Sequence, residues 1–171
     1  MMHEYPVTAG VLALAKKKAN MIPPNLRDSI RSGEGREVGS IGEVIFCKVM
    51  GGVPVSPDNP YNYDVKVGNR TYDVKSKECT SPPRMDYFAS VAAANIRQEC
   101  DCYCFMRVLK PKGGTYERAW VMGFLPKKEF FEKAIFYREG ELDPSSTFGW
   151  RFKADCYNIK YSDLNQFSKK V

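Results

Sequence analysis

The sequence predicts a mixed α+β (α/β) fold, with a central mixed β-sheet flanked by helices. Three observations predict it. The amino-terminal stretch reads as helices separated by Pro and Gly. Residues 63–77 alternate β-branched and aromatic side chains on either side of Gly68-Asn69, a pair suited to a two-residue hairpin turn. Beyond the hairpin, short helical and strand-like runs interleave around what reads as one sheet.

Taken in order, residues 7–19 form a first helix, with Lys16, Lys17 and Lys18 in its last turns favouring the helix dipole. Pro23-Pro24 opens a short second helix reaching about Ile30. A Gly-rich break from Ser32 to Gly35 precedes a third helix over Arg36 to Met50, which Gly51-Gly52 terminates. Val53 to Tyr61, with Pro54, Pro57 and Pro60, is expected as a loop feeding the hairpin. After a turn at Thr80 to Arg84, a short helix is expected from about Ser90 to Gln98 and a strand from Asp101 to Leu109. Lys110 to Gly114 turns the chain into a strand over Tyr116 to Leu125, and Pro126 starts a further helix. Irregular or edge structure around Leu142 to Ser146, a strand near Tyr157 to Tyr161 and a last short helix opening at Ser162 complete the chain.

The 171 residues suit one domain with a real core, and neither repeats nor low-complexity linkers divide it. There is no apolar run of membrane-spanning length and no leader pattern, so a cytosolic protein is expected. The net charge of +6 fits a polyanionic partner without identifying one. Six cysteines include no Cys-x-x-Cys pair, and the one histidine, His3, falls at an end expected to fray. Cys100, Cys102 and Cys104 alternate along a strand, the pattern of small hydrophobes on one core face. Trp120 and Trp150 read as packing residues, and the scattered Arg36, Arg70, Arg84, Arg97 and Arg107 with Tyr87 read as a solvated face, not a binding patch.

The chemistry concentrates in the hairpin. Counting outward from the turn pairs Val67 with Arg70, Lys66 with Thr71, Val65 with Tyr72, and Asp64 with Asp73. Two like charges directly opposed destabilise a sheet unless a cation lies between them. Lys75 points to the same face as Asp73. Mg²⁺ or Mn²⁺ takes oxygen ligands, and Asp64, Asp73 and the Val74 carbonyl would supply part of that shell. Glu43 sits inside the apolar run Ile41 to Cys47, where a charge needs a partner or a metal. Gly39 and Gly42 would let its helix approach the sheet closely. The plainer alternatives are a solvated face with the aspartates paired to Lys66 or Lys75, and a polar stripe joining Glu43 to Glu37 or Ser40. Glu34 and Glu37 compete as helix carboxylates but lie in more polar surroundings.

A helix carrying Glu43, then Asp64, then Asp73-Val74-Lys75 on the next strand, resembles the PD-(D/E)XK nuclease superfamily over roughly residues 36–109. The chain departs from the name-giving pattern in having Asn62-Tyr63, not Pro, before Asp64. The resemblance implies a restriction-endonuclease-like catalytic core at 36–109, a helical segment at 1–35 and additional strands and helices at 110–171 of one nuclease domain. It implies Mg²⁺ (or Mn²⁺) held by Glu43, Asp64, Asp73 and the Val74 carbonyl, with Lys75 assisting, and weaker substrate contacts from Ser76, Lys77 and Gln98. The expected activity is hydrolysis of phosphodiester bonds in DNA, with RNA as an alternative substrate. A stand-alone repair, recombination or junction-type endonuclease of bacteria or their viruses fits, acting in the cytoplasm of the bacterial or phage-infected cell. Whether it works as a homodimer is left open. A catalytically silent nucleic-acid-binding module on the same fold is the rival, and a regulatory domain using the basic surface alone is a third reading.

Overall fold

Residues 2–21, 35–55 and 62–168 are described by the computed structural model, and two sheets organise them. Strand β1 (His3–Pro6) leads into α1 (Ala9–Met21), and α2 (Arg36–Met50) precedes the short β2 (Val53–Pro54). The hairpin is β3 (Val65–Val67) and β4 (Arg70–Cys79). Strand β5 (Phe88–Ala92) runs into a 3-10 turn at Ala93–Arg97, followed by β6 (Cys102–Leu109) and β7 (Arg118–Pro126). Helix α3 (Lys127–Lys133), β8 (Ile135–Tyr137) and β9 (Cys156–Lys160) follow, with a 3-10 turn at Tyr161–Asp163.

The main sheet has the order β1-β7-β6-β4-β3-β2 and is mixed: β4 and β6 are parallel, and every other pair is antiparallel. The second sheet, β5-β9-β8, is antiparallel. The expectation of a single sheet is therefore corrected to two. The expected helix over Ser90 to Gln98 is the main reason. Its first half is β5, whose Ala89 and Val91 are buried while Ser90 is exposed, and it pairs along its whole length with β9. Cross-strand packing outweighs local preference there. His3 is not at a frayed end as expected: it pairs with Val121 on the sheet edge. Val53 and Pro54 pair with β3 where a loop was expected, while 56–61 and the expected helix from Pro23 to Ile30 lie outside the described residues. The last helix is only the 3-10 turn around Ser162.

Helix α2 has the bounds the sequence predicts, and its Gly51 takes a left-handed φ of 62° at the carboxyl cap. Val38, Ile41, Ile45 and Phe46 recur at helical spacing and bury one stripe against β4, β6 and α1. Each such side chain contributes about 1.5–3 kcal/mol on burial. Strand β6 is buried along its entire length because it packs on both faces. Cys102, Cys104, Met106 and Val108 face α1 and α2, while Tyr103, Phe105 and Leu109 face α3 and the second sheet. All six cysteines are free; Cys102 and Cys104 share one face as predicted, but Cys100, just before the strand, joins the opposite cluster. Trp120 is buried in that cluster, whereas Trp150 is 42% exposed and is not a core residue.

Candidate active site

The hairpin register is the predicted one up to Val65↔Tyr72, with Gly68 at φ 58° in the turn. It stops there. The Asp64 N–H donates to the Tyr72 carbonyl (2.9 Å), so Asp64 and Val65 both answer to Tyr72 in the two-against-one manner of a β-bulge. Asp64 is consequently not the cross-strand partner of Asp73. Its carbonyl accepts from Val55 N–H (2.9 Å), and its carboxylate Oδ2 accepts from Val74 N–H (2.7 Å). The side chain thus caps the edge of β4 at the point where β3 leaves it, since β3 pairs only with Arg70 to Tyr72 while β4 runs on to Cys79. The N–H and C=O of one strand residue leave toward the same edge, so the Val74 carbonyl faces the side that β3 vacates.

Asp73 and Lys75 lie on the opposite face of β4 from Val74, as the period of two requires. Lys75 Nζ is 2.5 Å from Asp73 Oδ2, an ion pair whose oxygen is buried and has no well-directed hydrogen bond. Gln98 bridges the two: its Nε2 donates to Asp73 Oδ1 (3.0 Å) and its Oε1 accepts from Lys75 Nζ (3.4 Å). The backbone that carries Gln98 is held by Lys127, whose Nζ donates to the main-chain carbonyls of Gln98 and of Ile96 (2.6 Å), capping the 3-10 turn. Nothing in the local sequence around Lys127, just past Pro126, signals that role.

Glu43 reaches the site from α2 because Gly42 lets the helix lie on β4. A Cβ built on Gly42 would fall 1.8 Å from Ser76 Oγ, whereas one on Gly39 would meet nothing within 4 Å. The close-approach expectation therefore holds for Gly42 and fails for Gly39. Glu43 forms an ion pair with Lys18 of α1. The signal for Lys18 was available: Val11 and Ala15 are the buried residues of α1, and Lys18 continues their stripe.

The electrostatics are those of crowded acids. Burial, opposed by Lys18, raises the Glu43 carboxyl above its ordinary range, and Asp73 adds to the rise. Asp64 is raised well above its ordinary value, first by burial and then by the charges of Glu43 and Asp73. Burial alone would lower the Lys75 ammonium, but Asp73 beside it and Asp64 beyond lift it above the usual lysine value. The Cys100 thiol is pushed up to about 12 by burial and then by Asp73, so it stays protonated at neutral pH and is no nucleophile.

A cleft of about 800 Å³ opens over these groups, with Ser40 and Glu43, Asp64, β4 and the second sheet among its walls. Ser76 lines it from beneath Gly42, its Oγ buried and lacking a hydrogen-bond partner. Lys77 lines it from the exposed end of β4 on the face of Asp73 and Lys75. Of the scattered arginines, Arg36 and Arg107 line the cleft with Tyr87, while Arg70, Arg84 and Arg97 do not. Arg84 pairs instead with Asp86 (2.9 Å).

Hard divalent cations take oxygen donors. The donor set here is all oxygen and fits one: Glu43 and Asp64, both raised first by burial, Asp73, whose buried Oδ2 has Lys75 as its ion-pair partner, and a strand carbonyl at a free edge. Among the described residues, no three His, Cys, Asp or Glu side chains already stand as a ligating cluster. Lys18 and Lys75 supply the counter-charge instead. Among the described residues, no helix is long and apolar enough to cross a membrane. No protein-family model and no curated protein matches the chain, so the functional reading rests on the site itself.

Proposed function

We propose that the protein is a metal-dependent nuclease that hydrolyses phosphodiester bonds in DNA, built on a restriction-endonuclease-like core. The observation that carries this reading is the grouping at the vacated edge of β4: Asp64 on the Val74 N–H, with Gln98 joining Asp73 to Lys75. The order α2, hairpin, crossover and parallel β6 supports the core assignment. Glu43, Asp64, Asp73 and the Val74 carbonyl would hold Mg²⁺ or Mn²⁺, which supplies charge stabilisation at the phosphate and a lowered pKa for the attacking water.

The chain's own groups then have distinct tasks. Water gives up a proton to solvent and its oxygen attacks phosphorus, the bond to the leaving oxygen breaks and that oxygen takes a proton from solvent, and negative charge builds on the phosphoryl oxygens on the way. Lys75 is held protonated by Asp73, so it acts as a donor to that charge and not as the base. Gln98 fixes the direction of both Asp73 and Lys75, and Lys127 fixes Gln98. The Val74 N–H holds the Asp64 carboxylate, and the backbone bonds to Tyr72 and Val55 hold the residue that carries it.

The test is incubation of the purified protein with plasmid, single-stranded and branched DNA in Mg²⁺, Mn²⁺ or EDTA. Asp73→Asn and Lys75→Ala should each lower cleavage by roughly 10²–10³-fold. Variants that cut as well as the unmutated protein would show the site is wrong. One observation favours a silent nucleic-acid-binding module: Glu43 and Asp73 are each already paired with a lysine. Tight DNA binding in Mg²⁺ with no cleavage of any form would select that module.

A further inference from the structure

Arg107 stands out among the charged groups of the cleft. It is only 7% exposed, on the central strand β6. Its Nε donates to Tyr161 Oη (2.7 Å) and its Nη2 to the Phe88 carbonyl (3.3 Å). The guanidinium also sits over the rings of Tyr161 (5.3 Å) and Tyr87 (5.8 Å). None of these partners carries a negative charge, and among the described residues no carboxylate pairs with Arg107. A buried cation without a counter-ion is costly. Five N–H donors belong to a guanidinium, two are taken, and three remain on a residue that lines the cleft. A planar fork of this kind fits phosphate with two parallel hydrogen bonds.

Its place on the sheet says which phosphate. In the parallel register Lys75 stands beside Phe105 and Lys77 beside Arg107. Arg107 is therefore one two-residue repeat, about 6.6 Å, along the same face from the row of Lys75. One backbone step of an extended nucleic-acid strand covers a distance of that order. The cleft itself, about 800 Å³, is of the size that takes a small organic ligand (roughly 300–1,000 Å³). Its far wall carries Trp150, 42% exposed and backed edge-on by Phe152 at 5.5 Å, a surface on which an unpaired base can stack.

We propose that Arg107 grips the phosphate next to the one that is cut, in a single unpaired DNA strand lying along β4 and β6. This rests on the nuclease reading above and deepens it. The test pairs single-stranded oligonucleotides, each carrying one uncharged methylphosphonate linkage at a position beside the cut, with the unmutated protein and with Arg107→Met. In the unmutated protein, neutralising the adjacent linkage should slow single-turnover cleavage by roughly ten- to a hundred-fold. In Arg107→Met, which should be slower on every strand, the same linkage should cost nothing further. A methylphosphonate penalty equal in both proteins overturns the assignment of Arg107. Cleavage of fully paired duplex as fast as single strands overturns the substrate class. Failure of the unmutated protein to cut any DNA instead strikes the nuclease reading beneath it. A thermal melt identifies a variant that does not fold, and Tyr161→Phe then carries the same comparison. By removing the 2.7 Å bond while keeping the ring, it should shrink the penalty, and an unchanged penalty counts against the proposal.

Discussion

Asp64 is the residue on which the site turns, and its charge works against the fold that holds it. Burial and the neighbouring Glu43 and Asp73 disfavour its ionised form. Asp64→Asn removes the charge and keeps an oxygen to accept from Val74 N–H. In EDTA the variant should melt higher, by about 2–4 °C for each kcal/mol relieved, and it should lose Mg²⁺-dependent cleavage. A lower melting temperature in EDTA would mean that the charge is well accommodated after all. The sequence made this residue legible as a candidate but misplaced its relation to Asp73. A register counted from Gly68-Asn69 stays correct for three pairs and cannot foresee the bulge opposite Tyr72, which depends on Val55 and β2 holding Asp64 from the other side. Lys127 is illegible for a similar reason, since it reaches the site from an element distant in sequence, whereas Lys18 is marked by the buried stripe of α1.

At the scale of the element, α2 and β4 fit because of one missing methyl group. Gly42→Ala gains up to about 1 kcal/mol of helix propensity. It must also displace Ser76 Oγ from 1.8 Å, and the Ser76 Cβ at 3.0 Å, fixed directly to the strand, limits retreat. Overpacking of that kind costs about 1–3 kcal/mol, so the clash wins and the variant should be less stable. Adding Ser76→Ala removes the nearest atom but keeps the Cβ at 3.0 Å, so it should recover part of the loss. Gly39→Ala, three residues earlier on the same helix, meets nothing and should be neutral or stabilising. Denaturant midpoints for the four proteins check this, and equal effects at Gly39 and Gly42 would refute the packing account. The bounds of α2 were legible because its apolar stripe and Gly51 are local signals. The strand β5 was not, because nothing within Ser90 to Gln98 announces that β9, more than fifty residues on, will pair with it.

For the whole molecule, the acids and the metal set opposite pH dependences. Asp64 and Glu43 have folded pKa values raised above their unfolded ones. In EDTA their contribution to stability is fully present below the unfolded carboxylate values and is lost as pH rises through the folded ones. Ionised carboxylates are what a cation requires, so stabilisation by Mg²⁺ should grow over that same rise. Melting curves from pH 4 to 8 with and without Mg²⁺ should therefore diverge as pH increases, and parallel curves would exclude cation binding by these groups. The division into two sheets has a further consequence, for synthesis on the ribosome. Parallel β4 and β6 are joined by a crossover that carries β5 and Gln98, and among the described residues β5 pairs with β9 alone. A nascent chain that has emerged only through Leu109 already holds Glu43, Asp64, Asp73 and Lys75 but lacks Lys127 and β9, which tie down Gln98 and the far wall. The carboxylates are made early, and the cleft around them is completed only when the carboxyl-terminal strand arrives.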